Sequence, residues 1–205
     1  MDYQQFLNTK GQLAPNAGIL LGDRHLSSTL FPWQRQLVRW SLQKGRAALF
    51  CDTGLGKTLM QLEWAQHIPG KVLIVAPLAV TRQTIRESAK LNNIDIAYCR
   101  DSENIASRIA ITNYEHIHKF DAALFKGVVL DESSILKSVD GKTRTQLILQ
   151  FRDTAYRLAC TATPAPNDIA EFANHAEFLG ICTRQEMLSM FFVHDDTGWR
   201  IKGYA

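Results

Sequence analysis

A glycine-rich turn that ends in Gly-Lys-Thr constrains the fold of this chain more than any other feature. The turn covers residues 51–58 and lies between the apolar run Ala47–Phe50 and an amphipathic stretch. A turn of this kind between a strand and a helix directs main-chain N–H groups toward one point, where they bind the oxygens of a polyphosphate. Gly54 and Gly56 permit the backbone angles and the close ligand approach that such a turn needs. The sequence therefore predicts a phosphate-binding loop in an α/β domain.

The turn also carries side chains suited to a nucleotide and its metal ion. Lys57 is placed to reach the β- and γ-phosphates of ATP, and the Thr58 hydroxyl is placed to ligate Mg²⁺. The full pattern has a glycine at the position that Cys51 occupies here. The alternative is an ordinary glycine turn with a chance Gly-Lys-Thr, and the strand before it and the helix after it argue against that. The predicted nucleotide ligands are Thr53, Gly54, Leu55, Gly56, Lys57 and Thr58.

Short apolar runs alternate with longer amphipathic stretches along the chain. Several of the runs are uninterrupted, which is typical of strands covered on both faces. The predicted strands are Ala47–Phe50, Val72–Ala76, Ile94–Tyr98, Ile109–Ile111, Val128–Leu130 and Arg157–Cys160. The predicted helices are Trp33–Gln43, Thr58–Ile68, Thr81–Leu91, Thr143–Phe151, Asp168–Leu179 and Arg184–Phe192. This order indicates an α/β fold, a mostly parallel sheet with helices on both faces, whose ligands collect at the carboxyl ends of the strands.

Two adjacent acids at the end of the predicted strand Val128–Leu130 form a second candidate site. Asp131 would hold Mg²⁺, and Glu132 would orient and deprotonate an attacking water. Adjacent carboxylates at a buried strand end are costly unless a cation lies nearby. By itself an acid pair is more often an exposed turn or a helix cap. The phosphate-binding loop about 75 residues upstream favours the functional interpretation, with Lys57, Asp131 and Glu132 as catalytic residues.

Composition and charge limit the class of protein. The 205 residues suffice for one domain with a substantial core, and 46% hydrophobic and 21% charged residues are ordinary for a globular protein. No apolar run approaches the roughly 20 residues that span a bilayer, and the start of the chain lacks the order of a secretory signal. A cytoplasmic protein without a membrane partner is therefore expected. The net charge of +3 permits a nucleic-acid partner, and the four scattered cysteines are expected to be reduced thiols.

Several short motifs, in the expected order between about residue 30 and residue 180, resemble superfamily-two helicases of the DEAD/DEAH type. Asp131–Lys137 resembles their acidic box, with Ser133-Ser134 in place of the common Ala-His or Ala-Asp. Leu136-Lys137 is similar to the Swi/Snf branch in particular, and the chain as a whole is similar to helicases of bacteriophages and prophages. The other segments that carry the resemblance are Phe31–Gln34, Cys51–Thr58, Ala76–Leu78, Ile111–Glu115, Thr161–Asn167 and Glu171–Gly180. The resemblance implies a RecA-like P-loop NTPase domain that uses ATP and Mg²⁺.

The resemblance assigns roles to further residues. Gln34 would read the polar edges of adenine, because its amide carries both a donor and an acceptor. Thr161 and Thr163 would lie beside the carboxylates and couple the nucleotide state to the rest of the protein by hydrogen bonds. DNA is the implied partner, held through its phosphates with little sequence preference. The implied phosphate donors are Thr81, Arg82, Thr112 and Asn113.

The predicted organisation has three parts. Residues 1–29 form an N-terminal extension that is rich in loops between Gly11 and Gly22, and residues 30–180 form the ATP-binding lobe. Residues 181–205 are expected to begin a connection to a second RecA-like lobe that this chain lacks, and the tail from His194 onward to run without a closing element. The resemblance implies that the second lobe supplies an arginine for the transition state. The chain by itself is therefore expected to bind Mg·ATP weakly and to hydrolyse it slowly.

The expected function is that of an ATP-dependent DNA helicase or translocase in a bacterium or a phage-infected host cell. Leu136-Lys137 and Pro164–Asn167 favour translocation on duplex DNA, and strand separation stays open. A non-catalytic, nucleotide-dependent DNA-docking module that acts with a partner is the alternative from another class. A metabolic P-loop kinase is less supported, because no lid-like arginine cluster accompanies the loop. The docking alternative does not explain the complete set of Lys57, Thr58, Asp131 and Glu132.

Overall fold

The computed structural model describes residues 16–91, 94–137, 141–195 and 198–202. Within these ranges the chain forms six α-helices and eight β-strands. The helices are α1 (Pro32–Lys44), α2 (Lys57–His67), α3 (Leu78–Ser88), α4 (Lys142–Gln150), α5 (Phe172–Leu179) and α6 (Arg184–Phe191). The strands are β1 (Arg46–Phe50), β2 (Val72–Ala76), β3 (Ile96–Tyr98), β4 (Ile109–Asn113), β5 (Gly127–Asp131), β6 (Tyr156–Thr161), β7 (Phe192–Asp195) and β8 (Gly198–Ile201). Short 3-10 helices lie at Asp23–His25, Tyr114–Lys119, Ala122–Leu124, Ser133–Lys137 and Ile169–Glu171.

Six strands form one parallel sheet in the order β1-β6-β5-β2-β4-β3. Every residue of β2, β4 and β5 is buried, which explains why these strands read as uninterrupted apolar runs. The predicted α/β fold with a mostly parallel sheet is confirmed. All six predicted strands are present in this sheet, with bounds that differ by up to two residues.

Helices cover both faces of the sheet, and alternate residues of each strand enter different cores. In β2, Val72 and Ile74 pack with α1 and α2 in one apolar cluster, whereas Leu73 and Val75 belong to a second cluster with α4 and α5. This alternation is the pleat of a strand buried on both faces. Among the described residues, no helix combines the length and apolarity needed to cross a membrane.

The start of one predicted helix differs from the structure for a local reason. Helix α3 begins at Leu78 rather than Thr81, because Pro77 occupies the position just before the first turn and fixes the chain direction there. Residues 16–22 of the predicted loop-rich segment contain no helix or strand, and the amides of Gly18 and Ile19 donate to main-chain oxygens at the end of α1. Residues 11–15 of that predicted segment lie outside the described residues.

The prediction of a tail without a closing element is wrong. Strands β7 and β8 form an antiparallel pair after α6, with Phe192 opposite Ile201. Phe192 is buried against Ala173 and Leu188, and Trp199 packs on the same small cluster. These apolar contacts with α5 and α6 stabilise the two strands. Each strand has four residues, which are too few for the sequence pattern to identify it.

Candidate nucleotide-binding site

The strand order brings the predicted phosphate loop and the predicted acids to one rim of the sheet. Strands β1, β6 and β5 are neighbours, with Phe50 in register with Thr161 and Asp131 in register with Cys160. Because all three strands are parallel, the loop after β1 and the acid pair at the end of β5 leave the sheet at the same carboxyl edge. Thr161, at the end of β6, lies between them.

The two glycines of the loop adopt left-handed backbone angles. Gly54 has φ 79° and Gly56 has φ 73°, a region that other residues enter only with strain. A Cβ at Gly54 would meet no atom within 4 Å, whereas a Cβ at Gly56 would lie 2.5 Å from Gln34 Nε2. Conformation alone therefore requires glycine at residue 54, and both conformation and space require it at residue 56.

Lys57 begins α2, and its ammonium group folds back onto the loop. Lys57 Nζ donates to the main-chain oxygens of Cys51 at 2.9 Å and Asp52 at 3.1 Å. The first amides of a helix have no partner within the helix, so those that follow Gly56 are available to an anion. The Thr58 hydroxyl makes no side-chain hydrogen bond within the described chain and can take a metal ion. Together these groups fit a polyphosphate with its divalent cation.

Thr53 and Leu55 shape the loop through their main chains. The Thr53 amide donates to Asp52 Oδ1 at 2.6 Å, and both residues are exposed. The Leu55 amide donates to the Asp52 main-chain oxygen at 3.4 Å. The Leu55 side chain is itself exposed to solvent. A phosphate contact by either residue is therefore a main-chain contact in this conformation.

Gln34 is buried and supports the loop in this structure. Its Nε2 donates to the Leu55 main-chain oxygen at 3.0 Å, and its Oε1 accepts from the Phe31 amide at 2.9 Å. The side chain therefore joins the start of α1 to the phosphate loop. The adenine contact of Gln34 stays a prediction. To make it, the Gln34 side chain must share or give up its hydrogen bond to Leu55 or Phe31.

Asp131 is buried, and its carboxylate faces α2. Gln61 Nε2 donates to Asp131 Oδ1 at 2.8 Å. The pKa of Asp131 is raised, and burial is the main cause. The charge of Glu132 also raises this pKa, whereas the Gln61 hydrogen bond and the Lys57 charge lower it. A buried carboxylate whose charge is disfavoured in this way is suited to a divalent cation, which restores the ionised form.

Glu132 has an unusual backbone conformation, and its carboxylate has a hydrogen-bond partner on β6. Its φ is 56°, in the left-handed region, and non-glycine residues in that region are concentrated at functional sites. Thr161 Oγ1 donates to Glu132 Oε2 at 3.2 Å, and the Thr163 amide donates to Thr161 Oγ1 at 3.1 Å. Thr161 thus lies against the carboxylate as predicted, while Thr163 contributes its main chain rather than its hydroxyl.

Three residues at this rim were missed by sequence reasoning. Gln61 contacts Asp131, the Tyr114 hydroxyl donates to the main-chain oxygen of Asp131 at 2.6 Å, and His175 lies 3.1 Å from Ser133 Oγ. Burial and the neighbouring carboxylates hold the pKa of Tyr114 well above its usual range, so its hydroxyl remains a donor. The available signal for Gln61 was its position one helical turn after Lys57, on the same face of α2.

His175 joins the acidic segment to the strand that precedes the phosphate loop. Its Nε2 is hydrogen-bonded to the buried Ser133, and its ring packs edge-on against Phe50 with centroids 5.2 Å apart. Burial lowers the pKa of His175, so the ring is neutral near pH 7. The serine that departs from the common helicase pattern therefore has a specific partner in α5.

The structure corrects the predicted DNA contacts for three of the four residues. Thr81, Thr112 and Asn113 are 2%, 0% and 2% exposed, and the Thr81 hydroxyl donates to the main-chain oxygen of Leu78 at 2.9 Å. Side chains buried to this extent do not face a phosphate outside the domain. Arg82 is exposed on α3 and is the one predicted donor that lies at the surface of the described chain.

The sequence matches the SNF2-related domain over residues 33–191. The chain belongs to the SNF2-related domain family. The matched range contains the phosphate loop, both acids, helices α2 to α6 and all of α1 except Pro32. The predicted resemblance to the Swi/Snf branch of helicases is confirmed. No curated protein matches this SNF2-related domain.

Solved structures share the fold of this SNF2-related domain. The Sulfolobus solfataricus SWI2/SNF2 ATPase core in complex with dsDNA has a TM-score of 0.70 at 24% identity, over 84% of this chain and 41% of that chain. The UvsW helicase from bacteriophage T4 has a TM-score of 0.59 at 17% identity, over 89% of this chain and 66% of that chain. The Pyrococcus furiosus Hef helicase domain has a TM-score of 0.58 at 18% identity, over 72% of this chain and 35% of that chain. This chain thus spans less than half the length of the Sulfolobus core.

Proposed function

We propose that this SNF2-related domain is the ATP-binding lobe of a DNA-dependent ATPase of the helicase or translocase type, which couples ATP hydrolysis to movement on DNA. The observation that carries the proposal is the 2.8 Å hydrogen bond between Gln61 and Asp131. It ties the helix that begins at Lys57 to the strand that ends in the acid pair. A phosphate-binding loop and a buried carboxylate joined in this way form the arrangement that Mg·ATP hydrolysis needs.

Each group at the rim has a role in this proposal. Lys57 and the amides of the loop bind the phosphates of ATP, and Thr58 and Asp131 hold Mg²⁺, which neutralises charge on those phosphates. Glu132 orients the attacking water and accepts its proton, because its carboxylate is fixed by Thr161. The hydrogen bonds of Thr161 and Thr163 then change with the nucleotide and couple its state to β6.

DNA is the proposed partner. The SWI2/SNF2 ATPase core of Sulfolobus solfataricus was solved in complex with dsDNA, and its fold is shared with this chain. Among the predicted phosphate donors, Arg82 is available at the surface. A contact of this type adds affinity without reading sequence. We favour translocation on duplex DNA over strand separation, because the acidic segment is of the Swi/Snf type.

Hydrolysis is tested with the 205-residue chain. We expect weak binding of Mg·ATP and slow hydrolysis, because the arginine that stabilises the transition state is proposed to come from a second lobe outside this chain. Lys57→Ala should abolish binding, whereas Glu132→Gln should preserve binding and lower hydrolysis to a small residual rate. Rapid DNA-stimulated turnover by this chain would contradict the need for a second lobe. Equal rates in wild type and both variants would favour the nucleotide-dependent DNA-docking module instead.

A further inference from the structure

Tyr114 spans the end of one strand to reach the acid pair. Tyr114 directly follows β4 in the chain, yet its hydroxyl donates to the main-chain oxygen of Asp131 at 2.6 Å. Strand β2 lies between β4 and β5 in the sheet. Neighbouring strands are about 4.8 Å apart, so this contact bridges about 10 Å between strand axes. A side chain as long as tyrosine is needed to make it.

The oxygen that Tyr114 contacts belongs to the peptide group between Asp131 and Glu132. A peptide group is planar, so turning its carbonyl also turns the N–H of the next residue and changes the φ of that residue. Glu132 is the one non-glycine residue with positive φ in the described part of the chain. The left-handed conformation is strained for such a residue. A hydrogen bond on this carbonyl therefore holds Glu132 in a conformation that it would otherwise tend to leave.

The other end of Glu132 is held independently. Thr161 Oγ1 donates to Glu132 Oε2 at 3.2 Å, from the end of β6. The main chain of Glu132 is thus fixed from the β4 side of β5, and its carboxylate is fixed from the β6 side. Because Thr161 holds only one carboxylate oxygen, a change in the main-chain hydrogen bond rotates the Glu132 carboxylate about that contact.

The residues just before Tyr114 retain unused hydrogen-bonding capacity. Thr112 Oγ1 and Asn113 Oδ1 are buried without a hydrogen-bond partner in the described chain. The side-chain nitrogen Nδ2 of Asn113 donates to Glu115 Oε2 at a long distance of 3.4 Å. Buried polar groups are normally paired, so a segment with unpaired groups gains from a rearrangement that supplies partners. Any such movement of residues 112–115 displaces Tyr114 and its hydrogen bond.

We propose that Tyr114 is a positioning residue for ATP hydrolysis. It sets the orientation of Glu132 through the Asp131–Glu132 peptide group and conveys the state of residues 112–115 to the acid pair. The inference rests on the proposed function, in which Glu132 orients the attacking water. The Tyr114 hydroxyl acts on the main-chain oxygen of Asp131 and not on the phosphate loop, so its loss should affect the chemical step rather than nucleotide binding.

The test is single-turnover hydrolysis of Mg·ATP by the chain in excess, beside binding of a fluorescent ATP analogue. Tyr114→Phe removes the hydroxyl and keeps the ring. We expect the hydrolysis rate to fall about 10- to 100-fold, the usual effect of a small misplacement of a catalytic group, with the affinity for the analogue unchanged. Tyr156→Phe, at the amino end of β6, is the matched control and should change neither quantity.

A second comparison separates this role from a general structural one. In a Glu132→Gln background, Tyr114→Phe should cause no further loss, because residues that act through one another are not additive. The same fractional loss in both backgrounds would overturn the inference. So would a Tyr114→Phe chain that hydrolyses ATP at the wild-type rate, or one that also loses affinity for the analogue. A wild-type chain that does not bind the analogue, or binds it equally well with Lys57→Ala, overturns the proposed function itself.

Discussion

The Gln61 amide and the Asp131 carboxylate, 70 residues apart in sequence, share a 2.8 Å hydrogen bond. Both side chains are buried, at 0% and 5% exposure. Gln61 lies one turn after Lys57 on α2, so this bond fixes the helix of the phosphate loop against the strand of the acids. A buried carboxylate is costly without such a donor, which gives Gln61 a part in stability and, under the proposed function, in nucleotide binding.

Gln61→Met should lower the free energy of unfolding by about 1 to 3 kcal/mol, because it keeps the length of the side chain and leaves a buried carboxylate without its donor. Urea unfolding of the isolated chain measures this. Gln83→Met on the exposed face of α3 is the control, and it should change stability little. The loss should shrink when Asp131 is replaced by Ala, since no carboxylate is then left unpaired; a full-sized loss in that background would show that Gln61 acts by packing alone.

Asp131→Asn should stabilise the nucleotide-free protein near neutral pH. The native pKa of Asp131 is raised above the ordinary value of 3.8, so the folded state binds this proton more tightly than the unfolded state and ionisation costs stability. The advantage of the variant should therefore decline as pH falls through the raised pKa and vanish below the ordinary one. Denaturant unfolding over a pH series measures it, and an advantage that stays constant with pH would contradict the assignment. The same substitution should weaken Mg²⁺-dependent nucleotide binding.

Gly56→Ala should destabilise the loop more than Gly54→Ala. Both substitutions place a Cβ on a left-handed backbone, which costs about 1 to 2 kcal/mol. At residue 56 the new atom also lies 2.5 Å from Gln34 Nε2, so Gln34 must give up its bond to Leu55. Thermal unfolding and nucleotide affinity of the two variants measure the difference. Gln34→Ala should remove the excess cost of Gly56→Ala, and equal effects of the two glycine variants would refute the steric part of this account.

Acid should destabilise the fold through His175. Burial lowers its native pKa below the ordinary 6.5, so its contribution to stability is fully present above that pH and is lost as pH falls below it. His175→Gln keeps a polar side chain that can hydrogen-bond Ser133, and glutamine does not titrate. The variant should therefore lose less stability than wild type between about pH 7 and pH 5, the range in which histidine usually titrates. His25→Gln, at an exposed residue, is the control, and a His175→Gln profile parallel to wild type would contradict this prediction.

The fold and the two halves of the site could be predicted because their signals are local. The phosphate loop is contiguous, with its glycines, Lys57 and Thr58 within one turn. The apolar run before Asp131 identified a buried strand and the acids at its end. Parallel strands end at a common edge, so adjacency of the loop and the acids follows from the fold class alone.

The remaining contacts depend on which strands are neighbours, and spacing along the sequence does not specify that. Tyr114 reaches Asp131 only because β2, and no other strand, separates β4 from β5. His175 meets Ser133 only because α5 packs beside the acidic segment. Thr112 and Asn113 were expected to contact DNA because their segment resembles a helicase motif, but they end a strand that is buried on both faces.

The hydrogen bonds from Lys57 to two main-chain oxygens of its own loop have a consequence for nucleotide binding. An ammonium group with these internal partners stabilises the conformation of the loop, so little chain freedom remains to be lost when a triphosphate binds. Binding replaces the hydrogen bonds of Lys57 to neutral main-chain oxygens with hydrogen bonds to charged phosphate oxygens. The binding enthalpy is therefore the difference between these two sets of hydrogen bonds. Calorimetry should then record a modest heat, with affinity that declines sharply as added salt screens the phosphate charge.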